Sequence, residues 1–165
     1  MGFYRPSREI EYSLIQFLTE YFKNENWTNV TIEKTFNRAY SQAMKMDTGA
    51  AVICVRCSST NRKRFELGND NLLRSQLVLI DVFATSDGQR MDLVDFIIDT
   101  IKGGFPYLEV QTEKAQVTSE IETGRVTINS IDDVPVNFNT DKSNLDLSDR
   151  FRHLITLSVS TGKAE

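Results

Sequence analysis

The sequence predicts an α+β fold in a single domain, with a mixed, mostly antiparallel sheet and two main helices packed on it. A strand that is apolar on both faces covers residues 72–84, and an amphipathic helix follows it over residues 87–102. A second amphipathic helix is predicted near the N-terminus, and most of the remaining chain alternates between apolar and polar residues, as half-buried strands do. The 165 residues suit one domain, and no repeat, heptad pattern or low-complexity linker divides them.

The central strand and its helix form the predicted frame of the fold. Because strand side chains alternate, the two faces are Val78, Ile80, Val82 and Ala84 on one side and Leu77, Leu79, Asp81 and Phe83 on the other. The helix has one apolar stripe, formed by Met91, Val94, Ile97, Ile98 and Ile101. We expect Ser86 or Asp87 to cap this helix and Gly103 to end it. Both faces of the strand are expected to be covered.

The first half of the chain supplies further elements. A helix is predicted over residues 7–22, with an apolar face formed by Ile10, Leu14, Phe17, Leu18, Tyr21 and Phe22. A half-exposed strand is predicted over residues 30–35, a short helix over 38–46, a turn at 47–49 and a buried strand over 50–57.

In the last third of the chain, the alternation of apolar and polar residues predicts a series of strands. They cover residues 107–110, then 116–123 and 125–130 around a Glu122-Thr123-Gly124 turn, and finally 149–160. Residues 132–138 break the pattern and 139–148 form a polar loop, so that 132–148 is one of two predicted loop arms. In the last strand, one face is formed by Phe151, His153, Ile155, Leu157 and Val159.

The other predicted arm is the polar segment 58–71, which lies between two buried strands. It contains the basic cluster Arg62, Lys63 and Arg64. A short run of charges is most often a solvated hairpin tip, but the position between two core strands also suits a binding arm that contacts an acidic partner or nucleic acid.

Enzymatic activity is not expected. Asp92, Asp95 and Asp99 lie on one helix face opposite the apolar stripe, which favours a solvated polar face over a magnesium site. His153 is the single histidine, and the sequence contains neither a nucleophile motif nor a glycine-rich phosphate loop. Cys54 and Cys57 have the spacing of half a zinc site, but residues three apart on a strand point to opposite faces. We therefore expect reduced core cysteines and neither a metal nor a cofactor.

Charge and hydropathy narrow the classes of partner. The formal net charge of -4 argues against general nucleic-acid binding, which usually requires a basic excess. No apolar run has the length of a membrane span, and the N-terminal residues have no secretory pattern, so a cytoplasmic site of synthesis and no membrane partner are expected. Asp81 interrupts an apolar strand face and is expected to pair with an arginine, such as Arg74 or Arg90, within the fold or across a subunit boundary.

Residues 74–106, RSQLVLIDVFATSDGQRMDLVDFIIDTIKGGFP, resemble the tail terminator (tail-completion, head–tail joining) proteins of long-tailed bacteriophages. The resemblance rests on an IDVFA strand at 80–84 that leads to an RMDLVDFI helix at 90–97, and the RFRHLITLSV strand at 150–159 also suits the family. It implies a structural virion protein of the tail and neck, whose hexameric ring caps the finished tail tube, ends its polymerisation and joins the tail to the head connector. DNA is then expected to pass through the lumen without specific binding.

On this basis, the ring interface is expected around Asp81, Phe83 and Arg90 and along the edge strands. Contacts with the tube protein or the connector protein are expected from Arg62, Lys63 and Arg64 and from the second arm at Asp141 and Lys142. Two alternatives remain open. One is another neck component, such as a head-completion or connector protein, and the other is a metal-dependent nucleic-acid-processing enzyme that uses the helix aspartates.

Overall fold

The structure is a computed structural model, and it describes residues 2–45, 50–64, 67–68, 70–136 and 151–164. The helices in this part of the chain are α1 (Pro6–Asn24), α2 (Phe36–Lys45) and α3 (Asp87–Ile101). The strands are β1 (Gly2–Phe3), β2 (Val30–Glu33), β3 (Ala51–Arg64), β4 (Leu72–Phe83), β5 (Phe105–Glu113), β6 (Gln116–Pro135) and β7 (Arg152–Ala164). The predicted turn at 47–49 and the polar loop at 139–148 lie outside the described residues. The prediction that the loop arm begins at residue 132 is wrong, because residues 132–135 are the end of β6.

All the described strands belong to one mixed sheet with the order β1-β5-β6-β7-β4-β3-β2. The strand β2 runs parallel to β3, and every other neighbouring pair is antiparallel. The α+β prediction of a mostly antiparallel sheet with helices packed on it is therefore confirmed. No helix among the described residues is long and apolar enough to cross a membrane.

The helices α1 and α3 pack on the face of β4 that bears Val78, Ile80 and Val82, which we call the inner face. The prediction that Tyr21 belongs to the packed face of α1 is wrong, because its side chain is 40% exposed. Buried residues of α3 are Leu93, Val94, Ile97 and Ile101. The prediction that Met91 belongs to this stripe is wrong, because its side chain is 53% exposed. At 100° per residue, Met91 lies about 100° from the centre of the buried stripe, and Leu93 takes its place.

The N-terminus of α3 has the predicted cap. The Ser86 hydroxyl accepts a hydrogen bond from the Gln89 backbone N–H at 3.2 Å. The Gln89 side chain accepts in return from the Thr85 backbone N–H at 2.9 Å, which forms a reciprocal capping arrangement. The helix ends at Ile101, before the predicted Gly103, and the turn into β5 depends on Gly104 instead. Gly104 has a φ of +81°, and a Cβ at this position would lie 2.4 Å from the Val126 carbonyl oxygen.

The predicted turn at Glu122-Thr123-Gly124 is wrong, because these residues lie within the strand β6. It is one continuous strand of 20 residues, and the predicted turn is a register irregularity opposite Tyr107 and Leu108. The actual turn between β5 and β6 is formed by Lys114 and Ala115, with φ of +50° and +66°. Neither residue type is typical of positive φ, so the sequence carried no signal for this hairpin.

The polar segment after Cys57 is an extended hairpin arm. The strand β3 continues as far as Arg64, and its residues 60–64 pair with residues 72–76 of β4 after an irregularity between Cys57 and Thr60. We call residues 60–64 and 72–76 the hairpin arm. Beyond the short strand β2, which pairs only with residues 51–54 of β3, the edge of the arm has no neighbouring strand among the described residues.

Candidate assembly surfaces

The two faces of the sheet are covered unequally. On the outer face, which bears Asp81 and Phe83 of β4, the helix α2 forms a small second cluster of Ala39, Val52, Cys54 and Phe83. Farther along the same face, Leu79 and Leu154 are half-buried, Leu77 is 36% exposed and Val134 is 54% exposed. The register places Val134 beside Leu154 and Leu154 beside Asp81. In the described part of the chain, the outer face therefore presents apolar side chains to its surroundings.

Asp81 is the buried charge of this face. Its carboxylate is fully buried and accepts hydrogen bonds from Arg56 Nη2 at 3.2 Å and from Arg152 Nη2 at 2.9 Å. The prediction of an arginine partner is confirmed, but Arg74 and Arg90 are the wrong ones. Arg74 lies an odd number of residues from Asp81 on the same strand, so the two side chains point to opposite faces. Arg56 and Arg152 instead stand on β3 and β7, the two strands that flank β4.

An aromatic cap completes the Asp81 site. The Arg56 and Arg152 guanidinium carbons lie 5.0 Å and 4.8 Å from the centre of the Phe36 ring of α2. Arg152 also lies 5.5 Å from the centre of the Phe83 ring. Each cation is thus held between a carboxylate and an aromatic face, an arrangement that favours arginine over lysine.

The residues predicted at the ring interface are enclosed within the chain. Phe83 is buried beneath α2, where its ring packs against Phe36 and Tyr40. Arg90 is largely buried at the start of α3. A neighbouring subunit would reach Asp81 and Phe83 through Phe36, Arg56 and Arg152, which cover them. The ring-interface assignment for all three predicted residues stays a prediction.

Arg90 belongs to a second polar cluster, which joins α3, β6 and β7. Arg90 Nη1 lies 2.7 Å from His153 Nδ1, and His153 Nε2 lies 2.8 Å from an Asp133 carboxylate oxygen. Because a guanidinium only donates, Nδ1 accepts and Nε2 carries the hydrogen that is donated to Asp133. His153 is thus a bridging core residue on the buried face of β7, as the alternation of that strand predicted.

A third polar cluster fixes the base of the hairpin arm. The Gln76 side-chain oxygen accepts hydrogen bonds from Ser7 at 3.1 Å, Thr60 at 2.8 Å and Arg74 at 2.9 Å. The Gln76 amide nitrogen donates to the Ser58 carbonyl oxygen at 3.0 Å, within the irregularity of β3. Arg74 also donates to the Ser7 hydroxyl. The N-terminus of α1 is therefore attached to the arm where the arm leaves the core.

Glu9 lies on α1, outside the apolar face predicted for this helix. It is buried, and its carboxylate accepts hydrogen bonds from the Tyr107 hydroxyl and from the Val110 backbone N–H. Burial, followed by the hydrogen bond to Glu9, raises the pKa of Tyr107. These bonds join α1 to β5, so we assign Glu9 a structural position. Its polarity gave no signal for burial.

The other residues considered for catalysis or metal binding, the α3 aspartates and the two cysteines, do not form a common site among the described residues. Asp92, Asp95 and Asp99 are exposed on α3, as their spacing predicted. Among the described residues, no group of three or more histidine, cysteine, aspartate or glutamate side chains could hold a metal ion. Cys54 and Cys57 are free and point to opposite faces, Cys54 into the α2 cluster and Cys57 against the main core. Asp141 and Lys142 lie outside the described residues.

Two grooves border α1. One of about 470 Å³ lies between α1 and β2 and is lined by Phe22, Trp27 and Ile32 among others. The other, of about 400 Å³, lies between α1 and the β5–β6 hairpin and is bordered by Glu20, Glu120 and Glu122. The hydroxyls of Ser13 and Thr19, which line these grooves, donate to the backbone carbonyl oxygens of Glu9 and Ile15 and not to a basic side chain, so we assign no reaction to the grooves.

The Asp81 site yields a stability prediction. Replacement by asparagine, Asp81→Asn, leaves Arg56 and Arg152 without a counter-charge and is expected to lower the free energy of unfolding by about 3 kcal/mol. The matched variant Asp95→Asn, on the exposed face of α3, is expected to change it by less than about 0.5 kcal/mol. Urea denaturation followed by circular dichroism measures both, and equal effects would contradict the assignment.

The two thiols yield a prediction on pH. Burial raises the pKa of Cys54 from 9.0 to about 11, with help from the Asp81 charge, and that of Cys57 from 9.0 to about 12, with help from the Glu11 charge. Above about pH 9 the thiols of the unfolded chain ionise while those of the folded chain stay protonated, so the free energy of unfolding should fall as the pH rises. Urea titrations at pH 9 to about 11 should show a smaller fall for the double variant Cys54→Ala/Cys57→Ala. Equal slopes for the two proteins would show that the cysteines do not contribute.

Comparison with known proteins does not add a family to these observations. No family model matches the chain, and no match was found among curated proteins. A function is accordingly proposed from the chain's own residues and from the resemblance described above.

Proposed function

We propose that the chain is a structural subunit of a bacteriophage neck, which forms a ring that caps the tail tube, ends tail polymerisation and joins the tail to the head connector. The ring is a homo-oligomer, proposed as a hexamer, and DNA passes through its lumen without specific binding. Its partners are copies of itself, the tube protein and the connector protein. It is assembled in the host cytoplasm and resides in the virion.

The observation that carries this proposal is the incompletely covered sheet. Two helices bury the inner face, whereas the outer face presents Leu77, Leu79, Leu154 and Val134 along three adjacent strands. The register places Thr156 and Ser158 beside Leu79 and Leu77, and partly exposed apolar side chains grouped among polar ones are typical of protein–protein contact sites. A subunit that is buried by its neighbours in a larger particle would need such a face.

The buried polar clusters support the same proposal. Asp81, Glu9 and His153 are each bonded to other secondary-structure elements of the chain, and each acts as a fixed point of the frame. The residues that carry the resemblance, 80–84 and 90–97, belong to the central strand β4, apart from Ala84 directly after it, and to the core helix α3. Rigid central elements with side chains exposed around them suit a building block of an assembly.

The experiment is tail-tube growth in the presence of the chain. Purified tube protein is polymerised with and without it, and tube lengths and tube ends are recorded by negative-stain electron microscopy. We expect shorter tubes with additional density at one end. Tubes of unchanged length and with bare ends would contradict capping, and binding to purified portal or connector complexes alone would favour the alternative of another neck component.

A matched pair of variants tests the outer face. Val134 is 54% exposed on the outer face and Met91 is 53% exposed on α3, so the substitutions Val134→Asp and Met91→Asp introduce the same change at nearly equal exposure. Only Val134→Asp is expected to abolish capping, since it adds a charge to the surface that becomes buried. Loss of capping in both variants, or in neither, would exclude the outer face as the contact.

A further inference from the structure

Strands towards the two ends of the strand order carry charges of opposite sign. The strand β3 contains four basic residues, Arg56, Arg62, Lys63 and Arg64, and no acidic one. On the other side of the strand order, β5 and the first part of β6 form a hairpin, residues 105–126, that we call the acidic hairpin. It contains four acidic residues, Glu109, Glu113, Glu120 and Glu122, against the two basic residues Lys114 and Arg125.

Charged side chains on both hairpins are available for binding. Lys63 and Arg64 are exposed at the open edge of β3, and the described part of the chain offers neither of them an acidic partner. Glu113 and Glu122 are likewise exposed, without a basic partner there. By contrast, Arg56 is engaged by Asp81, and Arg125 donates to the carbonyl oxygens of the turn before β5.

Apolar side chains accompany the charges on both sides. On the hairpin arm, Leu73 lies directly opposite Lys63 in the register and is partly exposed. Leu77, the first residue of β4 after the arm, is also partly exposed. On the acidic hairpin, Val117 and Ile121 are exposed. Each surface therefore combines apolar area with charge of one sign, the composition expected of the two halves of a polar-rimmed protein interface.

Both surfaces also include unpaired strand edges. Residues 60–64 of β3 have no strand beyond them, and β6 pairs with β7 only from Thr127 onwards, so residues 116–126 have an open edge on that side among the described residues. Open edges offer backbone donors and acceptors to another chain, and charged side chains limit which chain can pair.

From these observations we infer that the hairpin arm of one copy binds the acidic hairpin of the next copy, so that the positive charge of Lys63 and Arg64 meets the negatively charged surface to which Glu113 and Glu122 contribute. The two surfaces are different parts of the same chain, so the contact is heterologous and repeats from copy to copy until a ring closes. The inference rests on the proposed ring function and assigns its subunit contact to these surfaces. It replaces the tube or connector as the partner of the basic arm.

The test is a charge exchange between the surfaces. The variants Lys63→Glu/Arg64→Glu and Glu113→Lys/Glu122→Lys each place like charges across the contact, and the concentration at which half the chains assemble should rise by about tenfold or more. Sedimentation velocity at low salt measures this concentration, and circular dichroism verifies folding. Controls at exposed positions on α3 and directly after it, Asp95→Lys and Lys102→Glu, should leave assembly unchanged.

Mixing the two reversed variants is the decisive experiment. When the two reversed variants are combined, every contact between alternating copies again joins opposite charges, so assembly should return to within a few-fold of the original protein. The fourfold variant that carries all the substitutions should also assemble by itself. If neither the mixture nor the fourfold variant assembles, the inference is overturned, even if each reversed variant is monomeric by itself.

The outcomes separate the inference from the proposed function. If the reversed variants assemble normally but no longer reach tube ends, the arm binds the tube or connector, and the self-contact is overturned while the ring stands. If they assemble and cap normally, the surfaces have no role in assembly and the self-contact is again overturned. If the unmodified chain neither assembles nor caps tubes, the proposed function fails together with it.

Discussion

The ion pairs of Asp81 organise the centre of the sheet. A fully buried carboxylate is costly unless it is compensated, and here two guanidinium groups from the neighbouring strands approach it at 3.2 Å and 2.9 Å. The aromatic ring of Phe36 covers both cations and thereby fixes α2 on the outer face. The strands β3, β4 and β7 are therefore joined in one register, on which the positions of the hairpin arm and of the exposed apolar face depend.

A large part of this fold could be predicted from periodicity. The alternation of β4 and β7 indicated the correct faces because burial is the strongest constraint on those elements. The amphipathic pattern of α1 and α3 also did so, except for Tyr21 and Met91 at the margins of the two helix faces, which are 40% and 53% exposed. The other errors lie where a local signal was missing. Lys114 and Ala115 form a tight turn without glycine or asparagine, and Glu9 is buried because Tyr107 and the Val110 backbone supply its hydrogen bonds. Contacts of this kind depend on residues about a hundred positions away and leave no pattern in the helix itself.

The candidate surfaces could be predicted only in part. The basic cluster at 62–64 was evident in the sequence, but its place in an extended hairpin with an open edge follows from the pairing with β4. The acidic hairpin was not identified, because the prediction divided β6 at Gly124 and so separated Glu122 from the strand beyond it. The partners of Asp81 required knowledge of the strand order, since Arg56 and Arg152 are 25 and 71 residues from it. The placement of opposite charges towards the two ends of the sheet could be recognised only once the strand order was known.

The central claim is that this chain is a ring subunit, and the most direct measurement is its mass in solution. Native mass spectrometry of the purified chain, over a range of concentrations and with and without tail tubes, should show a closed species of six chains, each of 18.8 kDa. The same species should be recovered from tube ends. A chain that stays monomeric at every concentration and never joins a tube end would contradict the account.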